Sequence, residues 1–386
     1  MKITDVRAFV VDCFRTNFVF VKIDTDEGVS GVGEGTLEYK EKAFLGALEH
    51  IREYLLGRDP RAIEQHFFHI YRDAYWRGGP VLMSALSAVE TAMWDILGKS
   101  LNVPVYQLLG GKVNDRVRIY VNGWFSGARE PEEFAAKAKE AAARGVTALK
   151  WDPFGRAHLD ISPAGLDRAL RCVGAVRDAV GAGVDLLIEG HGRFNIPTAI
   201  RIARELEQFR PMFFEEPVPP DSLDALKAVR DKSPVALAAG ERLYSRWDYR
   251  RFFDILPADY IQPDVSHAGG IMELKKIAAE AESRYIPFAP HNPSGPVANA
   301  ATLQLAACCP NFCILEIMYS DVVWRGDLTT ESLDYRDGTI AVPDRPGLGI
   351  EIIEEECDKH PYKPHTLRHY DGTLTDIRPA ETKFYF

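Results

Sequence analysis

A repeated unit constrains the fold of this chain more than any other feature of its sequence. From about residue 114 onward, short apolar runs are each followed by a segment with helical periodicity, at a nearly fixed interval. The eight runs are VRIYVN, TALKWD, DLLIEGH, PMFFEEP, VALAAGE, DYIQPD, IPFAPH and FCILEI. Eight strand-helix units of this size are typical of a (β/α)8, TIM-like barrel, which needs about 250 residues. No run leads into a Gly-x-Gly-x-x-Gly turn, so the sequence does not indicate a dinucleotide-binding sheet.

The residues before the repeat follow a different pattern. Alternating apolar residues in ITDVRAFVVD and NFVFVKIDTDEGVSGVGEG predict antiparallel strands, with a turn at Asp26-Glu27-Gly28. From about residue 40 to residue 101 the periodicity is helical. Strands followed by helices indicate an α+β module. The predicted division is therefore an α+β module, a barrel and a last segment that packs back on the first module, at residues 1–115, 116–355 and 356–386.

Composition excludes several classes of protein. Apolar residues make up 46% of the 386 residues and charged residues 26%, as in soluble globular proteins. The net charge of -10, without a dense Lys/Arg stripe, argues against a nucleic-acid partner. No apolar run reaches about 18 residues and the N-terminus is charged, so neither a membrane partner nor a signal peptide is predicted. We expect a cytoplasmic protein whose six cysteines are reduced, although Cys309 and Cys313 could share a helix face as metal ligands.

Polar residues collect at the C-terminal ends of the apolar runs, which form the active-site face of a barrel. They are Lys150, Glu189, His191, Glu215, Glu241, Asp264, His291 and Glu316. Glu215 follows Glu189 by 26 residues and Glu241 follows Glu215 by 26, so three successive strands bring three carboxylates to one mouth. Such carboxylates repel one another unless a cation lies among them. An oxygen-only ligand set predicts Mg²⁺, with Mn²⁺ as the alternative. The other interpretation is ordinary ion pairs with Arg193 or Arg242.

The histidines at these strand ends suggest acid-base chemistry. Asp264 and His291 end neighbouring runs, so the carboxylate can fix the imidazole tautomer and make His291 a general base. His191 lies two residues beyond Glu189, so both side chains face the same cavity and His191 is a candidate acid. Glu316 could form a hydrogen bond with a substrate carboxylate. The alternatives are a structural histidine and a salt-bridged rim glutamate.

In their order and spacing, several strings resemble the mandelate racemase branch of the enolase superfamily, most closely its galactonate dehydratase-like members. They are GVGEG, YWRGGPV, WDILGKSLNVPVYQLLGG, HGRF, FFEEPV, AAGERLYSR, QPDVSHAGGI, APHNPSGP and PGLGIEI. The resemblance covers nearly the whole chain. It implies a modified TIM barrel, irregular in its eighth unit, closed by an N-terminal α+β capping domain that the C-terminal tail completes.

The resemblance also implies residue roles. It makes the three glutamates the magnesium ligands, Asp264 and His291 the catalytic pair, His191 the acid and Glu316 the group beside the enediolate. The loop from Arg15 to Phe18 and the stretch from Tyr75 to Pro80 would be the cap loops that choose the substrate. The predicted substrate contacts are Arg15, Trp76, Asp152 and Arg193.

Two residues depart from the pattern of these relatives. The first metal ligand is commonly Asp there, whereas Glu189 is one methylene longer, and the small Gly190 beside it could provide room. Racemases of the branch carry Lys-x-Lys on the second barrel run, where this chain has Lys150-Trp151-Asp152. The missing second lysine argues against racemisation. Lys150 could bind the substrate carboxylate or lower a neighbouring pKa, and its alternative role is an ion pair with Asp152.

The predicted enzyme is a magnesium-dependent hydro-lyase that removes the proton alpha to the carboxylate of a sugar acid and expels the 3-hydroxyl. An aldonate of five or six carbons is the expected substrate, with galactonate the leading candidate. The alternatives are a cycloisomerase of an anhydro- or lactone sugar acid, a non-catalytic metal-binding barrel, and an aldolase that uses Lys150. The resemblance also predicts a homo-oligomer.

Overall fold

The computed structural model describes residues 1–366 and residue 384. Its N-terminal module contains an antiparallel sheet in the order β1-β2-β3, in which β1 and β2 pair from Ile3 opposite Thr25 to Asp12 opposite Asn17. The strands are β1 (Ile3–Asp12), β2 (Asn17–Thr25) and β3 (Ser30–Glu34). The helices are α1 (Glu41–Leu55), α2 (Ile63–Phe67), a π-helix (Phe68–Arg72), α3 (Pro80–Leu101) and α4 (Val105–Leu108).

Helix α3 is the core of this module. It is long and apolar enough to cross a membrane, but 83% of its most apolar window is buried inside the fold. The glycines of the GVGEG string explain how closely it packs on β3. A Cβ atom at Gly31 or Gly33 would collide with the carbonyl oxygens of Ala92 and Ala88 on α3. The glycines therefore let the helix backbone contact the sheet directly.

A parallel barrel follows, which confirms the predicted fold class. Its hydrogen-bonded strands run in the order of the chain, and the last pairs with the first, so the barrel closes. Between β9 and β10 the seventh position is reduced to bridges of Phe288 with Ile261 and Phe312. The strands are β4 (Arg116–Asn122), β5 (Ala148–Trp151), β6 (Asp185–Glu189), β7 (Phe213–Glu215), β8 (Leu237–Ala239), β9 (Tyr260–Ile261) and β10 (Leu315–Met318).

Helices cover the outside of the barrel. They are α5 (Pro131–Ala143), α6 (Pro163–Val180), α7 (Ile196–Leu206), α8 (Leu223–Arg230), α9 (Arg246–Ile255), α10 (Ile271–Glu282) and α11 (Pro296–Ala307). The eighth strand leads instead into a 3-10 helix, Arg325–Asp327, and the hairpin of β11 (Tyr335–Arg336) and β12 (Thr339–Ala341). Since β12 pairs with β4, this hairpin extends the barrel wall. The eighth unit is therefore irregular, as expected.

Strand alternation places a layer of polar side chains directly above the apolar core of the barrel. A buried layer inside the barrel consists of Tyr120, Ala148, Leu187, Phe213, Ala238, Ala289 and Ile314. Side chains two residues further along a strand point to the same side. After six of the seven layer residues that next inward position is polar, namely Asn122, Lys150, Glu189, Glu215, His291 and Glu316. An apolar floor therefore lies directly beneath a polar layer.

Two buried carboxylates of the N-terminal module bind helix starts of the barrel. Glu34 accepts hydrogen bonds from the backbone N–H groups of Gly295 and Ala298, at 2.6 and 2.8 Å. Glu90 accepts from those of Ile271 and Met272, at 2.7 and 3.0 Å. Negative charge is favourable at a helix N-terminus. These contacts dock the module over the barrel mouth.

The end of the chain returns to the first module. Helix α12 (Glu354–Lys359) leads to Lys363, whose ammonium lies 2.8 Å from Asp12, and to a bridge between Pro361 and Val11. The expected packing of residues 367–383, 385 and 386 on the cap lies outside the described residues. The division at residues 115 and 355 stays a prediction.

Candidate active site

A cavity of about 410 Å³ lies at the C-terminal ends of the strands, under the N-terminal module. Barrel residues on its wall include Asn122, Lys150, Asp152, Glu189, His191, Glu241, His291 and Glu316. The module contributes Arg15, Thr36, Leu37, Glu38, Tyr39, Lys40 and Pro80. The cavity is therefore formed by both parts of the chain, with the reactive groups on the barrel.

Three glutamates form a group that could hold a cation. One carboxylate oxygen each from Glu189, Glu215 and Glu241 lies within 4.8 Å of the others. Burial raises the pKa of Glu189 well above its usual value, and the charge of Glu215 raises it further, against the opposing effect of Lys150. Only oxygen atoms are offered, which suits a hard divalent cation. The residues present therefore fit a divalent metal.

Lys150 lies between this group and Glu316. Its ammonium is 2.9 Å from Glu215 Oε1, 3.0 Å from Glu316 Oε1 and 3.3 Å from Glu189 Oε2. Burial lowers the pKa of Lys150, but the surrounding carboxylates raise it more, so that it lies well above the usual value. The alternative of an ion pair with Asp152 is not observed. Lys150 is a fixed positive charge among the glutamates.

His291 and Asp264 form a hydrogen-bonded pair. His291 Nδ1 lies 2.7 Å from Asp264 Oδ2, while Asp264 Oδ1 accepts from the N–H of Ser266. The other ring nitrogen, Nε2, is 3.3 Å from Glu241 Oε2 and 3.9 Å from Glu316 Oε2. Burial lowers the pKa of His291, but Glu241 and the bond to Asp264 raise it more, to about 10. Nε2 is thus the nitrogen that faces the glutamates of the mouth.

His191 has a carboxylate partner of its own. Its Nδ1 lies 2.7 Å from Asp152 Oδ2, which also accepts from Arg193 Nη2 at 2.5 Å. Burial raises the pKa of Asp152, but Arg193 and His191 lower it more, so that it lies below its usual value. Two of the three histidines on the cavity wall are therefore held at Nδ1 by an ionised aspartate, while Nδ1 of the third, His267, lies 2.8 Å from Ser84 Oγ.

Glu316 is completely buried within β10. Its Oε1 accepts from Asn122 Nδ2 at 3.0 Å, and its Oε2 from the N–H of Asn292 at 3.2 Å. Burial raises the pKa of Glu316, but Lys150 and His291 lower it more, to about 2. Glu316 is thus held as a carboxylate with its hydrogen-bond partners in place, and it is not an exposed rim residue.

The predicted substrate contacts fall in different places. Arg15 lines the cavity, forms an ion pair with Glu38 and donates to the carbonyl oxygen of Pro293 at 2.9 Å. Trp76 is 82% exposed and does not line the cavity. Arg193 is buried behind the wall, because its guanidinium binds Asp152 and backbone oxygens. The structure therefore places Arg15 and Asp152 on the cavity, but not Trp76 or Arg193.

Several residues of the cavity wall were not predicted from the sequence. Asn122 ends the first apolar run, so the strand-end pattern that found Lys150 could have found it. Glu38 and Tyr39 come from the loop after β3, and Tyr244 and His267 from loops after barrel strands. Nothing in the local sequence distinguishes Glu38 and Tyr39, since only the docking of the two parts brings them to the cavity. Tyr244 and His267 lie at the mouth because they follow barrel strands.

Comparisons with known proteins agree with this architecture. The mandelate racemase / muconate lactonizing enzyme N-terminal domain matches residues 9–110, and the enolase C-terminal domain-like family matches residues 133–356. A D-galactonate dehydratase of Variovorax paradoxus (strain S110) is 38% identical over 97% of this chain and 100% of its own. A D-gluconate dehydratase of Thermoproteus tenax is 38% identical over 90% of this chain and 71% of its own.

A solved structure gives the same relationship in three dimensions. A member of the enolase superfamily from Salmonella Typhimurium superposes with a TM-score of 0.88 at 33% identity, over 93% of this chain and 98% of that one. Both family matches fall on the two parts that form the cavity. The chain therefore belongs to the mandelate racemase / muconate lactonizing enzyme family of the enolase superfamily.

Proposed function

We propose that this protein is a magnesium-dependent dehydratase of sugar acids, a hydro-lyase that acts on an aldonate of five or six carbons. The observation that carries the proposal is one cavity with two histidines, each held by an aspartate, beside three glutamates that fit a divalent cation. Elimination of water needs a base at one carbon and an acid at the next. The relatives named D-galactonate and D-gluconate dehydratase support this reaction and make galactonate the leading candidate.

Glu189, Glu215 and Glu241 would hold the cation, with Mn²⁺ as the alternative to Mg²⁺. When bound, the cation supplies positive charge that stabilises the enediolate and so makes the proton alpha to a carboxylate removable. Lys150 adds a second positive charge on the side of Glu316. A negatively charged substrate can therefore bind at a mouth that is rich in carboxylates.

His291 is the proposed base. Asp264 accepts a hydrogen bond from Nδ1, and a cation held by Glu241 would offset the charge that raises the pKa of His291, so that Nε2 can give up its proton and take one from C2. Glu316, as an ionised carboxylate beside Lys150, only accepts hydrogen bonds. For Glu316 to donate to the enediolate, a proton has to pass to it when the substrate carboxylate arrives and raises its pKa.

His191 is the proposed acid. It gives a proton to the 3-hydroxyl oxygen as the C3–O bond breaks, so the hydroxyl leaves as water. The electrons of the broken C2–H bond form the C2–C3 double bond, and the resulting enol tautomerises to a 2-keto-3-deoxy acid. The absence of a lysine at position 152 supports elimination over racemisation, because Asp152 already binds His191 and Arg193.

The cell compartment and the assembly are further parts of this proposal. The six cysteines are free thiols, which supports a reducing compartment such as the cytoplasm. A homo-oligomer is supported by Tyr75 and Trp76, two neighbouring aromatic side chains that are 86% and 82% exposed and that a subunit contact would cover. Light scattering on the purified protein would give the number of subunits.

A substrate screen tests the function. Magnesium-loaded protein is incubated with a library of aldonates and aldarates, and semicarbazide detects 2-keto-3-deoxy products. We expect product from at least one aldonate, abolished by chelator and by His291→Asn. Ring opening of an anhydro- or lactone acid without any dehydration in the library would contradict the proposal.

A further inference from the structure

Both carboxylate oxygens of Asp152 accept hydrogen bonds from protein donors. The residue follows β5 directly and is 5% exposed. Its Oδ1 accepts from the N–H of Phe154 at 2.9 Å, and its Oδ2 accepts from His191 and Arg193. Although the side chain lies on the cavity wall, its carboxylate is turned to protein donors. The carboxylate therefore acts first on those partners, of which His191 lines the cavity.

Arg193 fixes the carboxylate from behind. Its Nη2 is 2.5 Å from Asp152 Oδ2, its Nη1 donates to the carbonyl oxygen of Gly155 at 2.7 Å, and its Nε to that of Gly190 at 3.2 Å. Three contacts in different directions leave the guanidinium little freedom. Asp152 is thus an anchored acceptor, and a side chain bonded to it takes up a defined orientation.

The backbone of His191 is fixed as well. Its φ of 50° lies in the left-handed region, and its N–H donates to Glu189 Oε1 at 2.7 Å. The neighbouring Gly190 has no room for a side chain, because a Cβ atom there would lie 2.8 Å from the carbonyl oxygen of Glu216. With the backbone held, the orientation of the ring depends on its bond to Asp152.

We propose that Asp152 is a positioning residue for His191, and that the two form a second His-Asp pair across the cavity from His291 and Asp264. The inference rests on the proposed dehydratase function and adds to it. Because Asp152 accepts the Nδ1 hydrogen, Nε2 is the nitrogen that faces the leaving hydroxyl. Asp152 thereby occupies the place of a second lysine base and serves the acid that breaks the C3–O bond.

The test compares two leaving groups in Asp152→Ala. With the aldonate that the screen identifies, we expect kcat to fall by about 100-fold or more, since a positioned acid is lost. With the 3-deoxy-3-fluoro analogue the leaving group is fluoride, which departs as an anion and needs no proton. Fluoride release should therefore change little. Deuterium exchange at C2 in D₂O, which depends on His291, should also persist.

A double variant separates positioning from packing. Asp152→Ala combined with His191→Asn should be no slower than His191→Asn alone, because residues that act as one unit are not additive. Asp152→Asn keeps the side-chain volume and one acceptor oxygen, so it should lose less activity than Asp152→Ala. It is also the variant to use if Asp152→Ala does not fold.

Asp160→Ala is the matched control. Asp160 lies in the same loop between β5 and α6, but it binds Thr198 and Arg201 and does not line the cavity. Its activity should be unchanged. Equal losses of water and fluoride elimination in Asp152→Ala, or additive losses in the double variant, would overturn this inference alone. A wild-type protein that neither exchanges C2 deuterium nor eliminates water from any aldonate would overturn the proposed function as well.

Discussion

The carboxylate of Glu189 at the barrel mouth and the carboxylate of Glu354 on the cap have pKa values shifted in opposite directions. At the mouth, Glu189 is buried beside Glu215, and Lys150 is the one lysine ammonium that the described residues place among them. On the outer face of the cap, Glu354 accepts from Arg7 at 2.7 Å and from Lys22 at 2.6 Å. The pKa of Glu189 is raised well above its usual value, whereas these bonds lower that of Glu354 to about 2.

The two sites differ in whether their charges stabilise the folded state. Opposite charges surround Glu354, so its ionised form stabilises the folded state. The mouth glutamates are held together against their own repulsion, which costs folding free energy and is relieved when a cation binds. A site that requires a ligand to balance its charge is arranged for chemistry, and the paired cap carboxylate is arranged to attach α12 to the sheet.

The largest effect should come from His291→Asn. Turnover should fall by about 10⁴-fold, because the group that removes the C2 proton is lost while the glutamates remain. Product formation on the identified aldonate measures it, and calorimetric titration with Mn²⁺ serves as the control, since cation affinity should persist. Normal turnover in this variant would show that the mouth chemistry is assigned to the wrong histidine.

Cation binding should affect stability strongly and only at the mouth. At a cation concentration of about 100 times Kd, the folded state should gain about 2.7 kcal/mol. Thermal melts with and without Mg²⁺ measure this gain. Glu241→Gln should abolish it, whereas Glu354→Gln should leave it intact. A gain that survives Glu241→Gln would place the cation elsewhere.

Glu189→Gln should increase the free energy of unfolding of the metal-free protein while it abolishes activity. The substitution replaces a carboxyl group whose ionised form is opposed by burial and by Glu215 with a neutral amide, and it keeps an oxygen for the N–H of His191. The gain should be roughly 1 kcal/mol. Urea unfolding in the presence of chelator measures it. A less stable metal-free variant would contradict this expectation, because it would show that the mouth charges are balanced without a ligand.

The smallest effect should come from Glu354→Gln. Because the side chain is 32% exposed, solvent screens the pairs and the loss of stability should stay below about 1 kcal/mol. The folded state holds the pKa of Glu354 at about 2, below the ordinary 4.5. Its contribution is therefore fully present above pH 4.5 and is lost as the pH falls towards 2. Urea unfolding across this range should show a shallower decline in the variant.

Much of the barrel and its mouth followed from the sequence, because a strand that ends in a polar residue presents that residue at the mouth. This is how Lys150, Glu189 and His291 were found. The partners of Lys150 and the partners of Asp152 could not be predicted in the same way. Lys150 points into the barrel, where Glu215 lies 65 positions away in sequence, whereas Asp152 follows the strand and turns to His191.

The seventh strand shows another limit of the pattern. The run IPFAPH predicts a strand, but the structure contains only bridges at Phe288. Pro287 and Pro290 flank this position and have no N–H to donate to a neighbouring strand. The position still delivers His291 to the mouth. The apolar run therefore predicted the location of the side chain correctly, and the prolines explain the missing ladder.

The most direct test of this account is a crystal structure of His291→Asn with Mn²⁺ and the aldonate that the screen identifies. We expect the cation between Glu189, Glu215 and Glu241, with C2 of the aldonate facing position 291 and its 3-hydroxyl facing Nε2 of His191. A cation bound by other residues, or a substrate with both C2 and the 3-hydroxyl on the side of position 291, would contradict it.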